Sequence, residues 1–281
     1  MSASFSAELM KLRKRPATWV VGLIFIIAVA LFGYLFTYLF AVNAPAGGGP
    51  QQEQFAQQAL QTLLPENILV NMLSNFANFG SALALVLGAL AVGSEYGWDT
   101  YKVAMTQRPG RLQLFAGKLA ALAVVVATLT LVVFAVGALA SYTIAVLEEE
   151  SASWPGILEI LEGLGAGWLI LVTFAAMGLF FATLFRGTAL AIALGLVYLL
   201  VLESLFLSLA QQSETVESIG RVLPYKNSAD LIQIFGEVPA FLGGNTLGEA
   251  VEPARAIITL TIYTLVFVAL AMLLIRSRDV T

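Results

Sequence analysis

Residues 17 to 40 read ATWVVGLIFIIAVALFGYLFTYLF, a run of 24 residues without a charged side chain. The hydrocarbon core of a bilayer is about 30 Å thick, so a helix needs roughly 20 apolar residues to cross it. The basic sequence KLRKR precedes the run, as in a secretory signal, but a signal peptide has an apolar region of only about 7–15 residues. The sequence therefore predicts an uncleaved membrane-spanning helix.

Five further apolar runs follow along the 281-residue chain. With the first they predict six spans, at residues 17–40, 68–92, 119–146, 157–185, 188–209 and 256–275. The chain is 59% hydrophobic and only 11% charged, whereas soluble domains carry about 25% charged residues. We therefore predict an all-α membrane protein, with one transmembrane domain over residues 1–281 and both termini on the same side.

Several classes of chemistry are disfavoured by what the chain lacks. It has neither histidine nor cysteine, so it can form no disulfide, no Cys/His zinc site and no Ser–His catalytic pair. The glycine-rich stretches also do not match nucleotide-binding motifs. Gly110 to Lys118 has the wrong spacing for a P-loop, and Gly163 to Gly167 precedes an apolar helix without a βαβ context. We expect no cofactor, no metal and no nucleic acid on this chain.

The lysines and arginines are distributed unevenly between the two sides. Eleven of the fourteen lie on the side of the termini and three on the opposite side. Cations accumulate on the cytoplasmic side of membrane proteins, so we predict cytoplasmic termini, in the plasma membrane of a bacterium or archaeon. The largest loop, residues 210–255, contains apolar turns too short to span. These turns predict short helices on or in the outer leaflet.

The segment from Gly93 to Lys118, GSEYGWDTYKVAMTQRPGRLQLFAGK, is polar and turn-rich although it lies between two apolar spans. Trp98, Tyr101 and Met105 have helical spacing, and RPG at residues 108–110 breaks the helix. The pattern predicts a short amphipathic helix held just below the membrane. Such a helix could receive force from a cytoplasmic partner, or it could rest on lipid headgroups.

The basic segment before span 1 also has an amphipathic pattern. It combines an apolar stripe with neighbouring cations, namely Phe5, Leu9 and Leu12 with Lys11, Arg13, Lys14 and Arg15. This pattern predicts a helix along the inner membrane surface, with its cations near anionic lipid. Lys118, at the start of span 3, is likewise expected to extend toward the lipid phosphates.

Three segments resemble the permease subunit of ABC-2 type exporters: ELMKLRKRPATW before span 1, GSEYGWDTYKVAMTQRPGRLQLFAGK after span 2 and FRGTALAIALGLVYL into span 5. They occur in the family's order over nearly the whole chain. In that family the N-terminal segment is the connecting helix, and the segment after span 2 is the coupling helix, seated against a separate ATPase subunit. The coupling helix commonly begins E-x-x-x-G-T; here Glu95 is followed by YGWDT, so Asp99 replaces the usual glycine.

The resemblance implies a permease that couples to an ABC ATPase subunit through this segment. The residues expected at that contact are Glu95, Trp98, Asp99, Thr100, Tyr101, Lys102, Met105 and Arg108. It also implies two permeases, identical or paralogous, and two ATPases that bind ATP and Mg, with alternating access at the permease interface. An ATPase-independent secondary transporter or channel is the alternative, although such a protein would be expected to carry more ionisable residues within its spans.

Four polar residues within the spans are candidates for a translocation pathway. Glu203, in span 5, could line or gate the pathway, pair with a cation from another span, or lie at the outer interface if the span ends earlier. Asn71, Asn75 and Asn78 form a stripe on span 2. The stripe faces either a cavity or a neighbouring helix, where each hydrogen bond is worth roughly 0.6–2 kcal/mol.

Small residues recur four positions apart in spans 4 and 5 and at the turn between them. They include Gly163 with Gly167, Gly178 with Ala182, and Gly187 with Ala191 and Gly195. This spacing is typical of places where two membrane helices approach closely. We interpret these residues as packing positions.

Overall fold

The computed structural model describes residues 2–44, 49–97, 110–210, 218–242 and 252–277, and within these ranges it contains helices and no strand. Six helices are long and apolar enough to cross a membrane: Pro16–Val42, Pro65–Tyr96, Leu112–Leu147, Ile157–Phe185, Thr188–Phe206 and Ala254–Ser277. These are spans 1 to 6 in chain order. The predictions of an all-helical chain and of six spans are confirmed.

The C-terminal end of span 2 and the N-terminal end of span 3 extend further than hydropathy predicts. Both ends lie on the same side of the bundle as the N-terminal helix. Span 2 continues to Tyr96 and span 3 starts at Leu112. The added turns contain Glu95 and Lys118, which a hydropathy pattern counts as outside the membrane. In the structure these two side chains are buried and paired with each other, so the helices can continue through them.

Within the described ranges, three further α-helices of nine residues or more accompany the spans. They are the N-terminal helix (Ser2–Lys14), a glutamine-rich helix (Pro50–Leu63) and a helix between spans 5 and 6 that we call the inserted helix (Pro224–Ile232). The latter two begin with proline, whose fixed φ suits the first helical position and whose missing N–H costs nothing there. The N-terminal helix packs along span 3, and the inserted helix packs among spans 2, 4 and 6.

Spans 2 and 4 form the centre of the bundle, and their backbones touch where they cross. A Cβ atom built on Gly178 would lie 2.0 Å from the carbonyl oxygen of Leu85, and one on Gly88 would lie 1.9 Å from that of Ala175. Only glycine allows this approach. The interpretation of Gly178 as a packing position is confirmed.

Three spans contain a π-helical segment that the sequence did not predict: Val29–Leu35 in span 1, Phe76–Gly80 in span 2 and Tyr198–Leu202 in span 5. A π segment widens the helix by one residue and is frequent at functional sites. Polar contacts between helices are made within or beside all three segments. Buried polar contacts between helices therefore lie at or beside the π segments of spans 1, 2 and 5.

Candidate functional site

Five charged side chains converge where the N-terminal helix meets the ends of spans 2 and 3. We call this group the ionic cluster; it consists of Glu8, Lys11, Arg15, Glu95 and Lys118. The N-terminal helix and the residue just after it supply the first three, span 2 supplies Glu95 and span 3 supplies Lys118. The cluster therefore joins three elements that are far apart in sequence.

Lys118 is the centre of the ionic cluster. Its Nζ atom lies 3.1 Å from Oε2 of Glu8 and 2.7 Å from Oε1 of Glu95. It also donates to the backbone carbonyl of Ala91 at 3.1 Å. The residue is only 5% exposed, and a buried lysine is tolerated only when its charge is paired and its donors are satisfied. These three contacts meet that requirement.

Lys11 and Arg15 complete the cluster on its more exposed side. Nζ of Lys11 lies 2.6 Å from Oε1 of Glu8 and 3.3 Å from Oε1 of Glu95. The Arg15 guanidinium donates to the carbonyl of Leu90 at 3.1 Å and to Oγ of Ser94 at 2.8 Å. Span 2 is thus bound to the N-terminal helix by side-chain and backbone contacts together.

The electrostatics of the cluster favour its charged form. Burial alone would raise the pKa of the Glu8 carboxyl, but the cations of Lys118 and Lys11 outweigh burial and hold this pKa below its ordinary value of 4.5. For Lys11, burial alone would lower the pKa, but the hydrogen bond to Glu8 and the charge of Glu95 raise it above its ordinary value of 10.5. Glu8 and Lys11 are therefore both charged throughout the neutral range.

These shifts predict that acid releases the N-terminal helix. The Glu8 pKa is lowered in the folded state, so its stabilising contribution is present above pH 4.5 and is lost as the pH falls through the lowered value. The raised pKa of Lys11 acts in the opposite direction and costs stability only in strongly alkaline solution. A spin label at Met10, which is 56% exposed on the same helix, should become mobile in acid, as the pH falls below the ordinary glutamate pKa of 4.5 and through the lowered pKa of Glu8. In a Glu8→Gln background this acid transition should be absent; an unchanged transition would contradict the assignment.

The ionic cluster brackets the segment that the sequence predicts as the coupling helix. Glu95 belongs to the cluster and lies near the start of this segment, and Lys118 is the last residue of the segment, in span 3. The other residues predicted for the contact lie outside the described residues: Trp98, Asp99, Thr100, Tyr101, Lys102, Met105 and Arg108. Their place at the ATPase contact stays a prediction.

The N-terminal helix presents more than its apolar stripe to the protein. Leu12 is buried, Phe5 and Leu9 are half-buried, and Arg13 and Lys14 are exposed. Ser4 and Glu8, on the polar side, are also buried, and the backbone at Ser4 packs tightly on Gly117 of span 3. This helix therefore contacts span 3 through polar residues that the apolar pattern did not identify.

The expectation that Lys118 extends toward the lipid phosphates is wrong. Two carboxylates lie within 3.1 Å of its Nζ atom. The ammonium group is therefore paired inside the protein and does not reach the hydrated membrane surface. The sequence contained one partial signal for this cluster. Glu8 and Lys11 are three residues apart, which places them on one helix face, but their long-range partners had no sequence signal.

The asparagine stripe of span 2 faces neighbouring protein. Asn75 donates its amide to the backbone oxygen of Asn71 at 2.8 Å and to its side-chain oxygen at 2.9 Å. Asn71 in turn donates to the carbonyl of Gly33, in the π segment of span 1, at 3.4 Å. Asn78 accepts a hydrogen bond of 2.6 Å from the Tyr225 hydroxyl. These contacts support the packing interpretation of the stripe.

Glu203 is 1% exposed and lies three residues before the end of span 5 at Phe206. One of its oxygens, Oε1, accepts the backbone N–H groups of Tyr225 and Lys226 at 2.5 and 3.3 Å. The inserted helix also buries Lys226 and Asp230, which form an ion pair with each other. The sequence predicts both residues within the region of residues 210–255 between spans 5 and 6, whose apolar turns it predicts as short helices on or in the outer leaflet.

One family model matches the chain. It is described as "ABC-2 family transporter protein", and the match extends over residues 4–202, well over half of the sequence. No curated protein matches the chain.

Proposed function

Because the chain belongs to the ABC-2 family of transporter proteins and is a permease of that type, we propose that it forms the translocation pathway of an ATP-driven exporter. ATP and Mg bind to a separate ABC ATPase subunit, which hydrolyses the ATP. The permease acts as a pair, identical or paralogous, with two ATPases, and carries its substrate by alternating access between the two permeases.

The ionic cluster carries this proposal. It ties the end of span 2 to the start of span 3, on either side of residues 98–109, and ties both to the N-terminal helix. A displacement of the intervening segment is then transmitted to three elements together. A loop that only rested on lipid headgroups would gain nothing from such a buried connection, whose assembly costs desolvation of several charges.

The charge distribution supports the orientation of the permease. Eleven of fourteen lysines and arginines lie on the side of the termini, which supports a cytoplasmic position for the ionic cluster and residues 98–109, where ATP is available. The host membrane is the plasma membrane of a bacterium or archaeon.

Affinity purification from the native host tests the proposal. The tagged chain is extracted in a gentle detergent, with and without prior crosslinking, and proteins that copurify are identified by mass spectrometry. A P-loop ATPase, in a ratio close to one per permease, is the expected result. Absence of any ATPase after crosslinking would overturn the exporter assignment.

An ATPase-independent secondary transporter is the second candidate. The observation that favours it is the burial of Glu203, Lys226 and Asp230 within the bundle, because ionisable groups inside a membrane protein commonly mark ion pathways. If no ATPase is recovered, ion-driven uptake by proteoliposomes that contain the chain alone becomes the decisive assay.

A further inference from the structure

The inserted helix is polar but buried. Seven of its nine residues are inaccessible, and these are Pro224, Lys226, Asn227, Ser228, Asp230, Leu231 and Ile232. It packs against spans 2, 4 and 6. A polar helix remains in such a place only if its hydrogen-bonding groups are satisfied. Its seat in the bundle therefore depends on specific contacts.

The N-terminus of the inserted helix has no cap of its own. Its N-cap residue is Leu223, which offers no side-chain acceptor. The first N–H groups of a helix need an acceptor, and the helix dipole makes a negative charge favourable there. Glu203 of span 5 supplies the acceptor, since its Oε1 accepts the N–H groups of Tyr225 and Lys226.

Other polar side chains of the helix make contacts within the helix or with its N-cap residue. Lys226 pairs with Asp230 one turn later, and Ser228 donates to the carbonyl of Pro224 at 2.9 Å. Asn227 donates to the carbonyl of Leu223 at 2.7 Å. Glu203 and Asn78, in contrast, bind the inserted helix to other spans. Of these two, Glu203 binds the backbone at the start of the helix, where its Oε1 accepts two N–H groups.

We propose that Glu203 is a positioning residue whose hydrogen bonds hold the inserted helix in its buried position. Loss of these hydrogen bonds frees the helix from the bundle and opens the side of the protein opposite the chain ends. The family match ends at residue 202, so neither Glu203 nor the inserted helix lies within it. The contacts between Glu203 and the inserted helix lie inside this chain. Their role does not depend on the binding of an ATPase.

The chain offers a clean labelling test because it has no cysteine. Ser228→Cys places a thiol at a position with 0% exposure, and its reaction with a membrane-impermeant maleimide reports release of the helix. Ser153→Cys, at an exposed loop position, shows which membrane side to treat. Ser81→Cys, which is also fully buried but lies in span 2, reports general unfolding.

Glu203→Ala is expected to speed the labelling of Ser228→Cys by about tenfold or more, because two buried hydrogen bonds to Oε1 are lost. Glu203→Gln keeps one carbonyl acceptor but replaces the second oxygen by an amide donor, so it should give an intermediate rate and decides the outcome if the alanine variant does not fold. Glu162→Ala, which removes an exposed carboxylate from span 4, should change nothing. Unchanged labelling in both Glu203 variants would overturn the proposal, as would equal acceleration at Ser81→Cys, which would indicate general loosening.

Discussion

Gly178→Ala is expected to destabilise the protein by about 3 kcal/mol, which is a large effect for the addition of one methyl group. The new Cβ atom would lie 2.0 Å from the backbone oxygen of Leu85, and a backbone atom cannot rotate away as a side chain can. Spans 2 and 4 would have to separate at the centre of the bundle. In an ordinary helix the same change stabilises by up to about 1 kcal/mol, so the sign of the effect is diagnostic.

Gly165→Ala is the matched control, because this glycine lies on the same span with nothing within 4 Å of a built Cβ. Thermal unfolding in detergent, followed by size-exclusion chromatography, compares the two variants. A loss of about 3 kcal/mol corresponds to a lowering of Tm by about 10 °C for a chain of this size. Equal Tm values for Gly178→Ala and Gly165→Ala would show that spans 2 and 4 do not cross as the structure has them.

Lys118→Met is expected to cost about 3–5 kcal/mol, the usual loss when one partner of a buried ion pair is removed. The substitution keeps the length of the side chain but leaves the carboxylates of Glu8 and Glu95 without their central cation. Repulsion between them should detach the N-terminal helix from span 3, so that a spin label at Met10 becomes mobile at neutral pH. Lys14→Met, at an exposed cation of the same helix, should leave both stability and label mobility unchanged.

A second substitution distinguishes lost pairing from lost packing. In Glu95→Gln/Lys118→Met the negative charge of span 2 is also removed, so part of the stability should return relative to Lys118→Met alone. Thermal unfolding of the four proteins in this cycle measures the coupling. A strictly additive cycle, or a Lys118→Met protein as stable as Lys14→Met, would contradict a paired role for Lys118.

The spans were predictable because their signal is local and redundant. A run of 24 uncharged residues such as 17–40 is long enough to span a membrane and fits few other structures. Small residues at a spacing of four, such as Gly178 and Ala182, indicate close helix packing. The bounds of spans 2 and 3 were less predictable, because hydropathy treats Glu95 and Lys118 as solvated. Whether a charge is solvated depends on its partner, and these partners lie 23 residues apart in the sequence.

The burial of the inserted helix had no local signal either. Its sequence, PYKNSADLI, is polar enough to belong to a loop. Its seat depends on Glu203 from another helix, on the Tyr225 contact to Asn78 and on an ion pair that neutralises Lys226 with Asp230. Hydrogen bonds and ion pairs between residues far apart in the sequence cannot be predicted from a hydropathy pattern, which scores each position alone.

The central claim is that this permease receives force from an ATPase through residues 98–109. The most direct measurement is the amount of P-loop ATPase that copurifies with the tagged chain from its native host, compared between the natural chain and Trp98→Ala/Tyr101→Ala. Tyr142→Ala/Trp154→Ala is the matched control, since both residues are exposed aromatic side chains near the opposite end of the bundle. We predict at least a tenfold loss of ATPase in the first variant, which corresponds to about 1.4 kcal/mol, and none in the control. Undiminished ATPase with Trp98→Ala/Tyr101→Ala would contradict the claim.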